Sequence, residues 1–122
     1  MKQVLLVFLG GGVGSVLRYL VAHSFNPLTE IPLGTLAVNV IGSFIIGFLI
    51  GLGSKNGIFS SNSSLLLVTG FCGGFTTFSA FAFENQELLK AGQILDFGIY
   101  TLLSLVLGIG AVFFGLFISK FL

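Results

Sequence analysis

The sequence predicts an all-α membrane protein with four transmembrane helices. Hydrophobic residues make up 55% of the 122 residues and charged residues only 7%, whereas about 25% of an average soluble domain is charged. Four apolar stretches follow one another, each close to the roughly 20 residues of helix that a bilayer core needs. We place the spans at about 4–24, 33–53, 64–89 and 95–119, in a single integral membrane domain.

Composition and charge exclude several other classes of protein. The formal net charge is +1, from five basic and four acidic residues, so no basic patch is available for a nucleic acid. The single cysteine, Cys72, cannot form an intrachain disulfide, and its apolar surroundings predict a small core residue. The apolar run after Lys2 continues past Arg18, which favours a first transmembrane helix over a signal peptide.

The most unusual stretch is GFCGGFTTFSAFAF, residues 70–83, in the middle of the third span. It contains the pair Gly73-Gly74, and glycine costs a helix interior about 1 kcal/mol relative to alanine. Non-helical backbone is tolerated at membrane depth only where it is buried in protein or faces water or an ion. We therefore predict a third helix that is broken at mid-membrane, with an ion site at the break.

Polar residues in the other spans each have two interpretations. Arg18 lies near the end of span one, where it either snorkels to the headgroups or rims an aqueous vestibule that attracts anions. Asn39 in span two either hydrogen-bonds a neighbouring helix or donates its N–H groups to an anion. Glu84, one turn inside the exit of span three, is either a solvated carboxylate or a vestibule residue.

Hydroxyls and aromatic rings suggest a path for a small anion. Tyr100 and Ser104 are spaced i, i+4 and share one face of span four, although such hydroxyls often bond their own backbone. Phe78 and Phe81 share a stripe and can offer their positive ring edges, but the chain has 15 phenylalanines and most should face lipid. A small anion needs neutral donors rather than a full positive charge that would trap it. The candidate donors are Asn39, Thr77, Ser79, Tyr100 and Ser104.

Charge placement predicts the assembly. Lys2, Lys55 and Lys120 fall on one side of the membrane and Arg18 and Lys90 on the other, so the positive-inside rule hardly sets an orientation. We predict insertion in both orientations and an antiparallel homodimer about a two-fold axis in the membrane plane.

The broken third helices of such a dimer would meet near its axis. Carbonyls of Gly73 and Thr76 from both copies could then hold a cation. Na⁺ is the natural candidate, because hard oxygen ligands suit it and no carboxylate lies nearby.

Three segments follow one another along the chain: GGGVGSVLRY at 10–19, GTLAVNVIGSF at 34–44 and GFCGGFTTFSAF at 70–81. Taken together and in this order, they resemble the fluoride channels of the Fluc family, also called CrcB proteins. The resemblance covers nearly the whole chain. It implies a fluoride-selective channel that lets fluoride leave the cell passively across a bacterial-type cytoplasmic membrane and so relieves fluoride toxicity.

The resemblance also implies roles for individual residues. The pore phenylalanines of the family fall on Phe78 and Phe81, its pore asparagine on Asn39, its vestibule arginine on Arg18, and its central sodium carbonyls on Gly73 and Thr76. The hydroxyl track of the family maps less directly onto Thr77, Ser79, Tyr100 and Ser104. Ala80 stands where the family often has threonine, which removes any hydroxyl at that position.

Two other functions compete with this interpretation. A proton-coupled exporter of the small multidrug type needs a carboxylate deep in the membrane, whereas Glu84 and Asp96 lie near span ends. A structural subunit would explain the glycine spacing but not the clustered hydroxyls, the asparagine and the break together. An enzyme is not expected, because the spans contain no constellation of histidine, cysteine and acids at depth.

Overall fold

The computed structural model describes residues 1–57 and 59–122, and the ordered elements in these ranges are helices. Helix α1 is Lys2–Phe25 and runs into a 3-10 turn at Asn26–Leu28; helix α2 is Leu33–Asn56. Four helical stretches, Lys2–Leu28, Leu33–Lys55, Ser61–Lys90 and Ile94–Ser119, are long and apolar enough to cross a membrane. The chain is therefore an all-helical integral membrane protein, and each span expected from hydropathy lies inside one of these stretches.

The third stretch is made of several pieces. It is α-helical at Ser61–Ser64, π-helical at Leu65–Cys72 and α-helical again at Gly73–Phe75; this continuous segment, residues 61–75, is called α3. Thr76 and Thr77 then have extended backbone angles, with φ and ψ of −84° and 157° at Thr76. Helix α4 follows at Phe78–Lys90, and helix α5 is Ile94–Ser119.

The glycine pair is not where the backbone leaves the helix. Residues Gly73 and Gly74 are helical, and the chain departs at Thr76 instead. Gly74 serves packing, because a Cβ at that position would collide with the carbonyl oxygen of Gly11 in α1. The sequence argument took the cost of two glycines as the cause of the interruption, whereas here one of them, Gly74, lets two helices touch.

Helices α1 and α3 contact each other through their backbones. A Cβ at Gly10 would collide with the carbonyl oxygen of Leu66, and a Cβ at Gly14 with that of Phe71. Contacts of this kind are how membrane helices associate without a hydrophobic driving force. Because the contacting residue numbers rise together on both helices, α1 and α3 run parallel.

Helices α2 and α5 form a second parallel pair. A Cβ at Gly47 would collide with the carbonyl oxygen of Val112, and a Cβ at Gly51 with Ser119 Oγ, so the contacting residue numbers again rise together. The rings of Phe44 and Phe114 pack beside this contact, with centroids 5.7 Å apart. The two pairs, α1 with α3 and α2 with α5, are the frame to which the shorter α4 is attached.

Few large side chains are buried inside this single chain. Among the described residues, the buried apolar side chains are Val38, Cys72, Phe75, Leu88 and Tyr100. Many others point outward, such as Phe8, Leu102 and Phe113, which are 72%, 63% and 68% exposed. An apolar exterior of this extent suits lipid or a partner in the membrane, so close backbone contact, rather than a large core, holds the bundle together.

We expect Gly14→Ala to destabilise the protein. The new methyl group would enter the space of the Phe71 carbonyl and lie 2.8 Å from the Phe75 amide nitrogen, and overpacking of this kind costs about 1–3 kcal/mol. Thermal unfolding can be followed by the reaction of a thiol dye with Cys72, which is buried in the folded chain.

Gly98→Ala is the matched control, because a Cβ there meets nothing within 4 Å. An equal melting temperature for Gly14→Ala and Gly98→Ala would contradict the packing described for α1 and α3.

Candidate functional site

The interruption between α3 and α4 is held by one side chain of α2. Asn39 Nδ2 donates to the carbonyl oxygen of Thr77 at 3.0 Å, and Asn39 Oδ1 accepts from the Thr77 amide at 2.7 Å. One amide group thus satisfies both backbone groups of a residue that has left the helix. Unsatisfied backbone groups cost several kcal/mol in an apolar interior, so this pair of bonds is what permits the extended conformation.

Both threonines at the interruption also cap helices. Thr76 Oγ1 donates to the carbonyl oxygen of Cys72 at 2.8 Å, at the end of α3. Thr77 Oγ1 accepts from the Ala80 amide at 3.1 Å and so caps the start of α4. Thr77 Oγ1 and Ser79 Oγ lie 3.2 Å apart and form a further hydrogen bond.

These bonds divert two amides from their usual helical partners. In a continuous helix the amide of Thr77 would bond the carbonyl of Gly73, and that of Ala80 would bond the carbonyl of Thr76. Here the first donates to Asn39 and the second to the Thr77 hydroxyl. The carbonyls of Gly73 and Thr76, which the sequence nominates for sodium, are therefore among those that lose their helical donors at the interruption.

Arg18 lies at the end of α3. Its Nε donates to the carbonyl oxygen of Gly74 at 2.9 Å, and Ser15 Oγ donates to the same oxygen at 3.4 Å. The Gly74 carbonyl is thus occupied by α1, in contrast to that of Gly73. Arg18 is half-buried and bonded to the backbone beside the interruption, a position that neither interpretation of it from sequence had specified.

Glu84 is the centre of a hydrogen-bond network that sequence analysis missed. Tyr100 donates to Glu84 Oε2 at 2.6 Å, and Thr35 Oγ1 donates to Glu84 Oε1 at 2.6 Å. Asn26 Nδ2 donates to Thr35 Oγ1 at 3.1 Å and to Glu84 Oε1 at 3.4 Å, and Asn26 Oδ1 accepts from the Thr35 amide at 3.0 Å. The half-buried carboxylate joins α2, α4 and α5, so it is not simply a solvated terminal residue.

A groove of about 320 Å³ lies between α2, the interruption with α4, and α5. Its walls are formed by Asn39, Ser43, Ile46, Thr76, Thr77, Phe78, Phe81, Ser104, Leu105, Gly108 and Val112. None of these side chains carries a charge. The rings of Phe78 and Phe81 lie 5.9 Å apart, and Phe81 meets Tyr100 edge to face at 5.2 Å.

Ser104 is the most informative residue of the groove. Its hydroxyl oxygen is buried, and among the described residues it has no hydrogen-bond partner. A buried polar atom without a partner is uncommon in a native structure and calls for a partner such as water or an ion. Ser104 therefore does not bond back to its own helix, which was the alternative that its sequence context left open.

The structure thus gathers most of the nominated residues but not all of them. Asn39, Thr77, Phe78, Phe81 and Ser104 line one groove. Thr76 lines it too, whereas Gly73 does not. Of the other nominated residues, Tyr100 packs on Phe81, Glu84 accepts from Tyr100, Ser79 bonds Thr77, and Arg18 donates to the Gly74 carbonyl beside the interruption. Ser43, Thr35 and Asn26 were not nominated. Thr35 lies four residues before Asn39 on α2 and Ser43 four residues after it, and that spacing was the available signal.

These features define a class: a small helical membrane protein with a neutral polar groove beside an interrupted helix. The family model described as "CrcB-like protein, Camphor Resistance (CrcB)" matches residues 5–116. The chain therefore belongs to the CrcB family, which confirms the family suggested by its three motifs.

Relatives in several bacteria are similar over nearly their full length. A protein of Gloeothece citriformis named "Fluoride-specific ion channel FluC" is 51% identical, with 98% of each chain covered. Proteins with the same name in Phocaeicola vulgatus and Chlorobium luteolum are each 47% identical; the match covers 98% of this chain and 100% of the first, and 97% of this chain and 92% of the second.

We expect Asn39→Ala to release the backbone at the interruption. Both the amide and the carbonyl of Thr77 would lose their partner, and an unsatisfied buried group costs about 1–3 kcal/mol. Hydrogen exchange at the Thr77 amide should accelerate by about tenfold or more, because 1.4 kcal/mol corresponds to a factor of ten. Exchange can be measured by mass spectrometry of peptides that cover residues 74–82.

Asn85→Ala is the control for this measurement. Asn85 accepts a hydrogen bond from Thr101 at 3.2 Å and has no bond to the interruption. Protection of the Thr77 amide should survive Asn85→Ala, and its survival in Asn39→Ala would contradict the role assigned to Asn39.

Proposed function

We propose that this protein is a fluoride-selective ion channel that lets fluoride leave the cell passively across the cytoplasmic membrane. The observation that carries the proposal is the groove, in which an asparagine amide and a serine hydroxyl without a partner among the described residues lie near two phenylalanine rings in neutral surroundings. The names of its full-length relatives support fluoride as the transported ion.

The chemistry of the groove suits a small, strongly hydrated anion. Ser104 has a hydroxyl proton to donate, and only one of the two Nδ2 protons of Asn39 is engaged by Thr77. The rings of Phe78 and Phe81 add positive edges, which favour an anion in the ring plane. Neutral donors replace hydration water without binding the ion so tightly that it cannot leave.

The carboxylate of Glu84 would repel an anion if it were free. Instead, three donors, Thr35, Tyr100 and Asn26, hold its two oxygens. A proton-coupled exporter would need this carboxylate to exchange protons with a substrate, and membership of the CrcB family does not favour that function. In the channel, Glu84 positions Tyr100 and Thr35 at one end of the path.

We further propose that two copies pair in antiparallel orientation, with the interruptions at mid-membrane. In one chain Phe78 is 80% exposed, although it lines the groove, so a single copy does not enclose the path. Gly73 is also exposed, and a Cβ there would meet nothing within 4 Å. A second chain packed over these two residues would cover them, and the near balance of basic residues allows that chain to insert upside down.

A structural Na⁺ fits the carbonyls of Gly73 and Thr76. Both have lost their helical donors, and hard, uncharged oxygens suit a monovalent alkali cation. Within the described residues no group of three His, Cys, Asp or Glu is placed to hold a different metal. When bound, the cation would supply positive potential near the path and join the two copies.

The proposal predicts fluoride release without chloride release from liposomes that hold the purified protein. Ser104→Ala should slow fluoride release by about 3- to 10-fold, because one hydrogen bond is worth about 0.5–1.5 kcal/mol. Asn39→Asp should abolish fluoride release, because the substitution puts a negative charge on the path and a carboxylate oxygen against the Thr77 carbonyl. A fluoride-selective electrode records the release.

Ser61→Ala, at the exposed start of α3, is the control for these variants and should conduct normally. Equal release of fluoride and chloride, or no fluoride release from folded wild-type protein, would contradict the proposal.

The sodium proposal predicts that the assembly depends on Na⁺. Replacing Na⁺ by N-methylglucamine should lower the melting temperature and the fraction of dimer, since a ligand that binds only the assembled state stabilises it by mass action. Light scattering after size-exclusion chromatography gives the mass of the assembly. Adding Na⁺ should restore the dimer, whereas adding Mg²⁺ should not. An assembly indifferent to the cation would rule out this role.

A further inference from the structure

Two polar rows run along the two helices beside the groove, and Asn39, Ser43 and Ser104 of these rows line it. On α2 the row is Thr35, Asn39 and Ser43, and on α5 it is Tyr100 and Ser104, each at four-residue spacing. Residues four apart lie on one face of a helix, about 6 Å apart along its axis. Because α2 and α5 run parallel, the two rows advance in the same direction.

The row on α5 ends before the groove does. The next position after Ser104 is Gly108 and the one after that is Val112, and both line the groove without offering a hydroxyl. Ser43 lies opposite this gap: an ideal Cβ at Gly108 would be 3.9 Å from Ser43 Oγ. The hydroxyl of α2 therefore occupies the level at which α5 has none.

We propose that Ser43 is a pathway residue, and that the ion passes from the Ser104 hydroxyl on α5 to the Ser43 hydroxyl on α2. Three observations support it: Ser43 lines the same groove as Ser104, it is half-buried, and the glycine opposite leaves room beside its hydroxyl. A donor is needed there, since an anion leaving Ser104 would otherwise face only Leu105, Gly108 and Val112 on α5. This inference rests on the proposed channel function.

Moving the hydroxyl from one helix to the other tests the proposal. Ser43→Ala should reduce the rate of fluoride release from liposomes about 3- to 10-fold, the value of one hydrogen bond. Gly108→Ser in the same chain should restore the rate to within about twofold, because its side chain would begin 3.9 Å from the place that Ser43 Oγ occupies in the wild-type protein and would supply the missing donor. Ser43→Thr, which keeps a hydroxyl, should stay near the wild-type rate.

The outcomes separate this inference from the function on which it rests. Wild-type protein that releases no fluoride would overturn the channel itself. Wild-type protein that conducts while Ser43→Ala conducts equally well would overturn only the role of Ser43. A slow Ser43→Ala channel that Gly108→Ser does not restore, with an unchanged melting temperature, would also overturn it, because the hydroxyl would then matter only in its original place on α2.

Discussion

The structure depends on the two hydrogen bonds between the Asn39 side chain and the backbone of Thr77. In an apolar environment a residue leaves a helix only if its amide and carbonyl find other partners, and here a single amide side chain supplies both. Three features follow from this pairing. The carbonyl of Gly73 loses its donor, the Thr77 hydroxyl is placed to cap α4, and α4 starts at Phe78, so that Phe78 and Phe81 face the groove.

Close helix packing determines where Asn39 can act. A Cβ at Gly42, three residues after Asn39, would collide with the side chain of Thr76, so a larger residue would push α2 away from the interruption. Gly14 and Gly74 similarly bring α1 against α3, and Arg18 can then reach the Gly74 carbonyl. The glycines thus act indirectly on the site: they let polar side chains of one helix reach the backbone of another.

The spans and most of the polar site were predictable, because apolar length and isolated polar residues are local features of the chain. The position of the interruption was not predictable, because it is set by Asn39, which is 38 residues away from Thr77 in the sequence. The network around Glu84 escaped prediction for the same reason: Asn26, Thr35 and Tyr100 lie on three other elements. The π-helical turn at Leu65–Cys72 has no signal in the sequence that we can identify.

The distribution of charge along the path explains how a neutral groove could favour a small anion. Two charged groups beside the residues of the groove form hydrogen bonds within the chain: Arg18 donates from Nε to the Gly74 carbonyl, and both oxygens of Glu84 accept hydrogen bonds. An ion in the groove would therefore meet dipoles rather than a fixed countercharge.

Hydroxyl and amide donors bind most strongly the ion with the greatest charge density. The same ion also loses the most hydration free energy when it enters the groove. Selectivity then requires hydrogen-bond donors at every level of the path. A level without a donor would be a barrier, and the barrier would be highest for the most strongly hydrated ion. This requirement is the physical reason why a serine on α2 matters where α5 has a glycine.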